Sequence, residues 1–370
     1  MEFPEYKLAN YQMNAGPRTK YPMGASAPES MSLQELLSLA NADELRQWNN
    51  FTLGYSSSQG DETLRSKIAE SYPGLDADNV IVFAGALEAI YVAFHALLKA
   101  GDRVQVITPV FEPLAIVPEA IGAQVNKIKM QAGTDGWQLD VDQWINSLKP
   151  DTSLAVINFP HNPTGAMLSK LQLEAMLESC RENDCWLFSD EVFRGLEYQP
   201  ADRLPPVASL YHKGISLGVM SKAFGLGGVR VGWLACQDKA LLKRMLEIKH
   251  FLSICNGRAD ELLTTIALNH AGAIQQKNRQ IIQQNLGLLN QNMAGISGKI
   301  QWHQPQAGCI AYPRLLEPAS SVEFADQLLA ETGVMVVPGN CFLQGQAHFR
   351  LGFGRKDFPE AFEQFLAYLG

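Results

Sequence analysis

The chain has 370 residues, 46% of them hydrophobic and 18% charged, a globular composition too long for one ordinary core and therefore read as two domains. A formal net charge of −8 argues against nucleic acid or an anionic membrane as the main partner. The six cysteines form no C-x-x-C pair, so no zinc pattern is present, and no apolar run approaches the roughly 18 residues that a membrane span needs. MEFPEYKLAN has no basic-then-apolar leader, so the expectation is a cytoplasmic protein with free thiols and no metal.

The first 45 residues lack a sheet pattern and predict an arm and one helix, SLQELLSLANADELRQW (32–48). From about residue 60 to 250, β-rich runs alternate with helical stretches. The runs are NVIVF (79–83), RVQVITP (103–109), SLAVINF (153–159) and CWLFSD (185–190), with a further β-like run, ISLGVM, before Ser221. One intervening helix, SKLQLEAMLESCREND (169–184), opens on a serine cap. Continuously apolar strands joined by helices predict a parallel sheet covered on both faces. A helical region follows over 258–293, and residues 295–370 read strand, helix, strand, strand, helix, a smaller α+β unit.

In open parallel sheets, ligands sit beyond the carboxyl ends of the strands, so the residues there carry the chemistry. After NVIVF, Gly85 and Ala86 open a helix, which makes an anion site or simply a tight strand-to-helix turn. After SLAVINF, PHNPTG (160–165) is a rigid turn holding Asn162, a polar reader or only a turn former. Asp190 ends an apolar strand, where a carboxylate needs a cation, a helix cap or a salt bridge. GVMSKAFGLGGVRVGW (218–233) holds Lys222 and Arg230 among small and apolar residues. A lysine in such a setting has a lowered pKa and is a Schiff-base nucleophile, and an arginine nearby suits phosphate. The stretch is neither G-x-G-x-x-G, since Arg230 takes the last glycine position, nor S-x-x-K, since Val219 lies three before the lysine.

The ordered set N-P-T-G, strand-end aspartate, and S-K with an arginine eight later resembles the pyridoxal 5′-phosphate-dependent aminotransferases of class I/II, fold type I, aspartate aminotransferase-like. The resemblance runs from about Gly24 through YSSSQGDETLR (55–65), TPVFEPL (108–114) and SDEVF to HFRLGFG (348–354). It implies an α/β fold with a mostly parallel seven-stranded sheet in a large domain (46–285), and a smaller α+β domain from 1–45 and 286–370. It implies that Lys222 forms the aldimine with the cofactor and moves the α-proton, and that Asp190 pairs with the pyridinium nitrogen. Asn162 would meet the ring's 3-hydroxyl oxygen and Phe111 would stack on the ring. Gly85, Ala86, Ser221 and Arg230 would hold the phosphate, with Tyr55 from the neighbouring subunit of a homodimer. Arg350 would grip the substrate carboxylate, near Asn162 and Gly24. The implied reaction exchanges an amino group between an amino acid and a 2-oxo acid, and the alternative on the same residues is a lyase, decarboxylase or cyclising enzyme.

Two positions depart from the family pattern. Phe193 stands where a tyrosine usually donates to the 3-hydroxyl oxygen, which predicts a raised pKa for the cofactor-bound lysine. Val219 removes a hydroxyl from the phosphate cup. The substrate side-chain pocket is expected to be built from the N-terminal arm near Met23-Gly24-Ala25-Ser26 and from the partner subunit, with Arg258, Arg194, Asn14 and Ser26 too generic to assign. A non-catalytic amino-compound sensor would carry an added basic DNA-binding segment and a nicotinamide dehydrogenase a glycine fingerprint, and the sequence shows neither.

Overall fold

All five β-rich runs named above are strands in the computed structural model, which describes residues 4–133, 136–317 and 320–370. The central sheet has seven strands: β1 (Val80–Phe83), β2 (Arg103–Thr108), β3 (Gln124–Lys129), β6 (Thr152–Asn158), β7 (Trp186–Asp190), β8 (Gly214–Val219) and β9 (Gly232–Cys236). A short hairpin of β4 (Gln131–Gly133) and β5 (Gly136–Gln138) stands apart from it. The sheet order is β1-β9-β8-β7-β6-β2-β3. Strands β8, β7, β6, β2 and β3 run parallel, and β9 is antiparallel to both β8 and β1. Two antiparallel pairings in succession turn β1 back to the common direction. The carboxyl ends of β1, β6, β7 and β8 therefore share one edge.

The burial explains why these strands read so clearly. All residues of β1, β8 and β9 are buried, as parallel sheets with helices on both faces require. Phe94, from the helix after β1, meets Phe188 of β7 edge-on at 5.0 Å. The edge strand β3 buries only Ile128 and so carries no continuous apolar signal.

Three expectations need correction. The helix expected over 32–48 is two, Leu33–Leu39 and Ala42–Asn50. Each opens with a capping box, Ser32 with Glu35 and Asn41 with Glu44, so Asn41 starts a new helix inside the apolar periodicity. The helical region 258–293 likewise breaks at His270 into Arg258–Asn269 and Ala271–Met293. The C-terminal part has three short strands before its first helix: β10 (Ile300–Gln301), β11 (Ile310–Ala311) and β12 (Arg314–Leu315). The helix Ser321–Thr332, β13 (Val337–Pro338), β14 (Phe349–Gly352) and the helix Phe358–Leu369 follow.

The N-terminal arm carries a helix of its own, α1 (Lys7–Ala15). The arm then runs into the C-terminal part: Tyr21 bridges Val334, and Gly352 N donates to Met23 O at 2.5 Å. This brings Gly24 to Ser26 alongside β14, facing the carboxyl ends of the central strands.

Candidate active site

Lys222 lies three residues beyond β8. Its Nζ donates to Ser26 Oγ at 2.7 Å and stands 5.7 Å from the centre of the Phe193 ring. Burial and the adjacent Arg350 depress its pKa to about 8, against Cys309 and Asp190, which hold it up. Asp190, 3% exposed at the end of β7, is pushed up to about 7 by burial, while the Val192 N–H and Lys222 pull it down. The two groups share one desolvated pocket, and each is shifted away from its charged form.

Asn162 is fixed by the turn after β6: its own N–H donates to Asn158 Oδ1 at 2.8 Å. Its side-chain oxygen accepts from Arg350 Nη1 at 3.1 Å. Arg350, on β14, is 1% exposed; Nη2 donates to Gly24 O at 2.9 Å, and Nε has no partner. No carboxylate is among its partners, and burial lowers its pKa to about 10. A buried guanidinium held only by neutral oxygens lacks the bidentate anion for which its fork is built.

A second cluster lies where β1 ends. Gly85 has φ +91 and starts the helix Ala86–Leu97, whose first amides have no side-chain cap. The Arg230 guanidinium lies against Gly85: a Cβ there would stand 2.4 Å from Nη2. Arg230 Nη2 donates to Ala84 O at 3.3 Å and Nη1 to Gly227 O at 3.2 Å. Ser221 borders the same loop, 3.6 Å from where a Gly227 Cβ would sit. Val219 is buried below. The N-terminus of this helix beside a guanidinium that meets only carbonyl oxygens forms an anion cradle, in which the Gly85 N–H itself donates to Phe83 O at 2.8 Å.

The structure thus brings Gly24, Gly85, Ala86, Asn162, Asp190, Ser221, Lys222, Arg230 and Arg350 to one edge of the sheet. Phe111, after β2, stands half-buried beside them. Tyr55 does not join them within the chain: it is 88% exposed. Arg194 is engaged elsewhere, donating to Leu204 O, and Arg258 and Asn14 are exposed. Ser26, too generic to assign from sequence, is the partner of Lys222. Its position before Ala27 and Pro28 gives no local signal of a contact 196 residues away. Among the described residues no cluster could hold a metal ion, and no helix is long and apolar enough to cross a membrane.

The donor set fits a phosphorylated pyridine aldehyde. The cradle suits its phosphate, the buried lysine its aldehyde carbon, and the strand-end carboxyl its ring nitrogen. Comparison with known proteins agrees. Residues 23–360 match the family model "Aminotransferase class I and II". Capreomycidine synthase of Streptomyces vinaceus is 31% identical over 297 residues, covering 80% of this chain and 75% of that protein. A PLP-dependent aminotransferase from Streptococcus suis superposes with a TM-score of 0.93 at 26% identity, covering 100% of this chain and 98% of the other. The PLP-dependent cyclase OrfR superposes at 0.91 with 29% identity, covering 100% and 98%. The chain belongs to the class I and II aminotransferases of fold type I. It is a pyridoxal 5′-phosphate-dependent transaminase.

Proposed function

We propose that Lys222 Nζ is the attachment point for the cofactor's aldehyde and the base that removes and returns the substrate α-proton. A pKa near 8 keeps a usable fraction of this amine neutral at physiological pH. Asp190 holds a proton or a charge against the ring nitrogen, Asn162 orients the ring oxygen, and Phe111 covers one face. The amides of Gly85 and Ala86, with Ser221 and Arg230, take the phosphate. Bound there, pyridoxal phosphate supplies an electron sink for the bonds to the substrate α-carbon. Arg350, with Gly24 and Asn162 fixing its orientation, clamps the α-carboxylate of an amino acid and then of a 2-oxo acid.

The observation that carries this reading is Arg350: a cation 1% exposed, with an unpartnered Nε and no carboxylate partner among the described residues, next to a lysine depressed to about 8. The test is the half-reaction. Adding an amino acid to the yellow holoenzyme bleaches the visible band, and adding a 2-oxo acid restores it. A protein that consumes amino acid without this reversible bleaching would be a cyclising enzyme or lyase, as the similarity to a cyclase allows.

A homodimer with shared sites completes the proposal. Leu53 and Phe251 are 91% exposed and Tyr55 88%, apolar surface that a second copy would cover. Sedimentation of the purified protein at twice the chain mass, 40.8 kDa, is the expected result. Residues 46–285 form the large domain in this reading, and 1–45 with 286–370 the small one. Six free cysteines suit a cytoplasmic setting.

A further inference from the structure

Helix α1 touches both walls of this site. Leu8 is buried in one cluster with Tyr312, Val337, Cys341 and Phe342. The Phe342 ring lies 5.0 Å from the Arg350 guanidinium. On the opposite wall, Leu8 N donates to Glu112 Oε2 at 2.8 Å. Glu112 is 1% exposed and directly follows Phe111. Tyr6, the residue before α1, presents its ring edge to Phe111 at 6.3 Å and 75°, and its phenol lies within electrostatic reach of Arg350. A carboxylate this buried is costly unless it is met, and here the Leu8 amide in the first turn of α1 meets it.

The substrate supplies the remaining constraint. An α-carbon with its carboxylate on Arg350 and its proton toward Lys222 must point its side chain away from both. The Tyr6 ring packs on Phe111 and interacts with Arg350, which sets it beside the clamp. We propose that Tyr6 is a specificity-determining residue that walls the pocket for the substrate side chain, and that Glu112 is a positioning residue that latches α1 so that Tyr6 stands there. The proposal rests on reading Arg350 as the carboxylate clamp. Phe111 and Glu112 are consecutive, so the residue assigned to the ring and the latch lie on one stretch of chain.

The test compares holoenzyme variants against alanine and a panel of longer amino acids. Tyr6→Ala is expected to lower kcat/KM for the long side chains by about tenfold more than for alanine, mostly through KM, the scale of one lost aromatic contact. Tyr6→Phe keeps the ring and behaves as wild type. Glu112→Ala reproduces the Tyr6→Ala pattern and speeds tryptic cleavage at the exposed Lys7, because the Leu8 amide is released. Glu112→Gln, whose amide oxygen still accepts from Leu8, restores both. Equal losses for alanine and long side chains in Tyr6→Ala, or wild-type cleavage and selectivity in Glu112→Ala, overturn the proposal. Arg350→Lys separates the two readings: an unchanged KM for every amino acid sinks the clamp, whatever Tyr6 does.

Discussion

Two neighbouring groups, Asp190 and Lys222, are buried at a cost to their charged forms. Burial raises the Asp190 pKa from an ordinary value near 4 to about 7, so the folded chain holds a proton that the unfolded chain releases. The apoprotein therefore loses stability as pH rises from about 4 to about 7, and the cost is fully present above that. In the apo form, Asp190→Asn should melt higher than wild type at pH 8 and at the same temperature near pH 4. Thermal melts at the two pH values check this; a gap that does not change with pH would count against it. The same substitution should weaken holoenzyme activity, since the ring nitrogen loses the carboxylate that keeps it protonated. Phe193 gives a second residue-scale prediction. Its ring is 1% exposed beside Lys222, and Phe193→Tyr should lower the pH at which the holoenzyme's visible band titrates. An unshifted titration would mean that another group already serves the ring oxygen.

At the scale of elements, function concentrates where strands stop. The turn after β1 is the most constrained of these stops. Gly85 has φ +91, a conformation that strains any L side chain, and a Cβ there would meet Arg230. Gly85→Ala should displace the guanidinium and weaken cofactor binding roughly tenfold to a hundredfold, the worth of a charge-assisted hydrogen bond. Fluorescence titration of the apoprotein with pyridoxal phosphate measures it. The elements also show what the sequence could carry. Strands β1, β6, β7 and β8 have buried, mostly apolar middles because both faces are covered, so their ends, and with them the positions of Asn162, Asp190 and Lys222 in the chain, were legible. The break at Asn41 was written in the local pattern Asn41-x-x-Glu44, yet the apolar spacing on either side masked it. Ser26, Tyr6 and Glu112 were not legible. Each acts through a contact made only when the N-terminal arm folds back, 196 residues away in the chain for Ser26 and 104 for Leu8 with Glu112.

At the scale of the whole molecule, the exposed Tyr55 and the buried Lys222 predict complementation between subunits. In a shared-site dimer, a Lys222→Ala chain spoils its own site and a Tyr55→Ala chain spoils the site of its partner. Mixed and re-equilibrated, they should form hybrids in which one site has both an intact lysine and an intact tyrosine. Activity above the sum of the parents is the expected outcome, and strict additivity would place Tyr55 outside the site.

The solitary Arg350 has a practical consequence for anyone handling the protein. One guanidinium reaches Gly24 in the arm, Asn162 in the central sheet's turn and its own strand β14, so it fastens three separate stretches of chain. Whatever small anion settles on its free edge is felt by all three at once. Formate or acetate in a buffer should therefore act as a weak competitive inhibitor and also as a stabiliser, raising the melting temperature as its concentration passes its dissociation constant. Arg350→Met should abolish both effects together. Assays run in carboxylate buffers would understate affinity for substrate, and stability screens run in them would flatter the apoprotein.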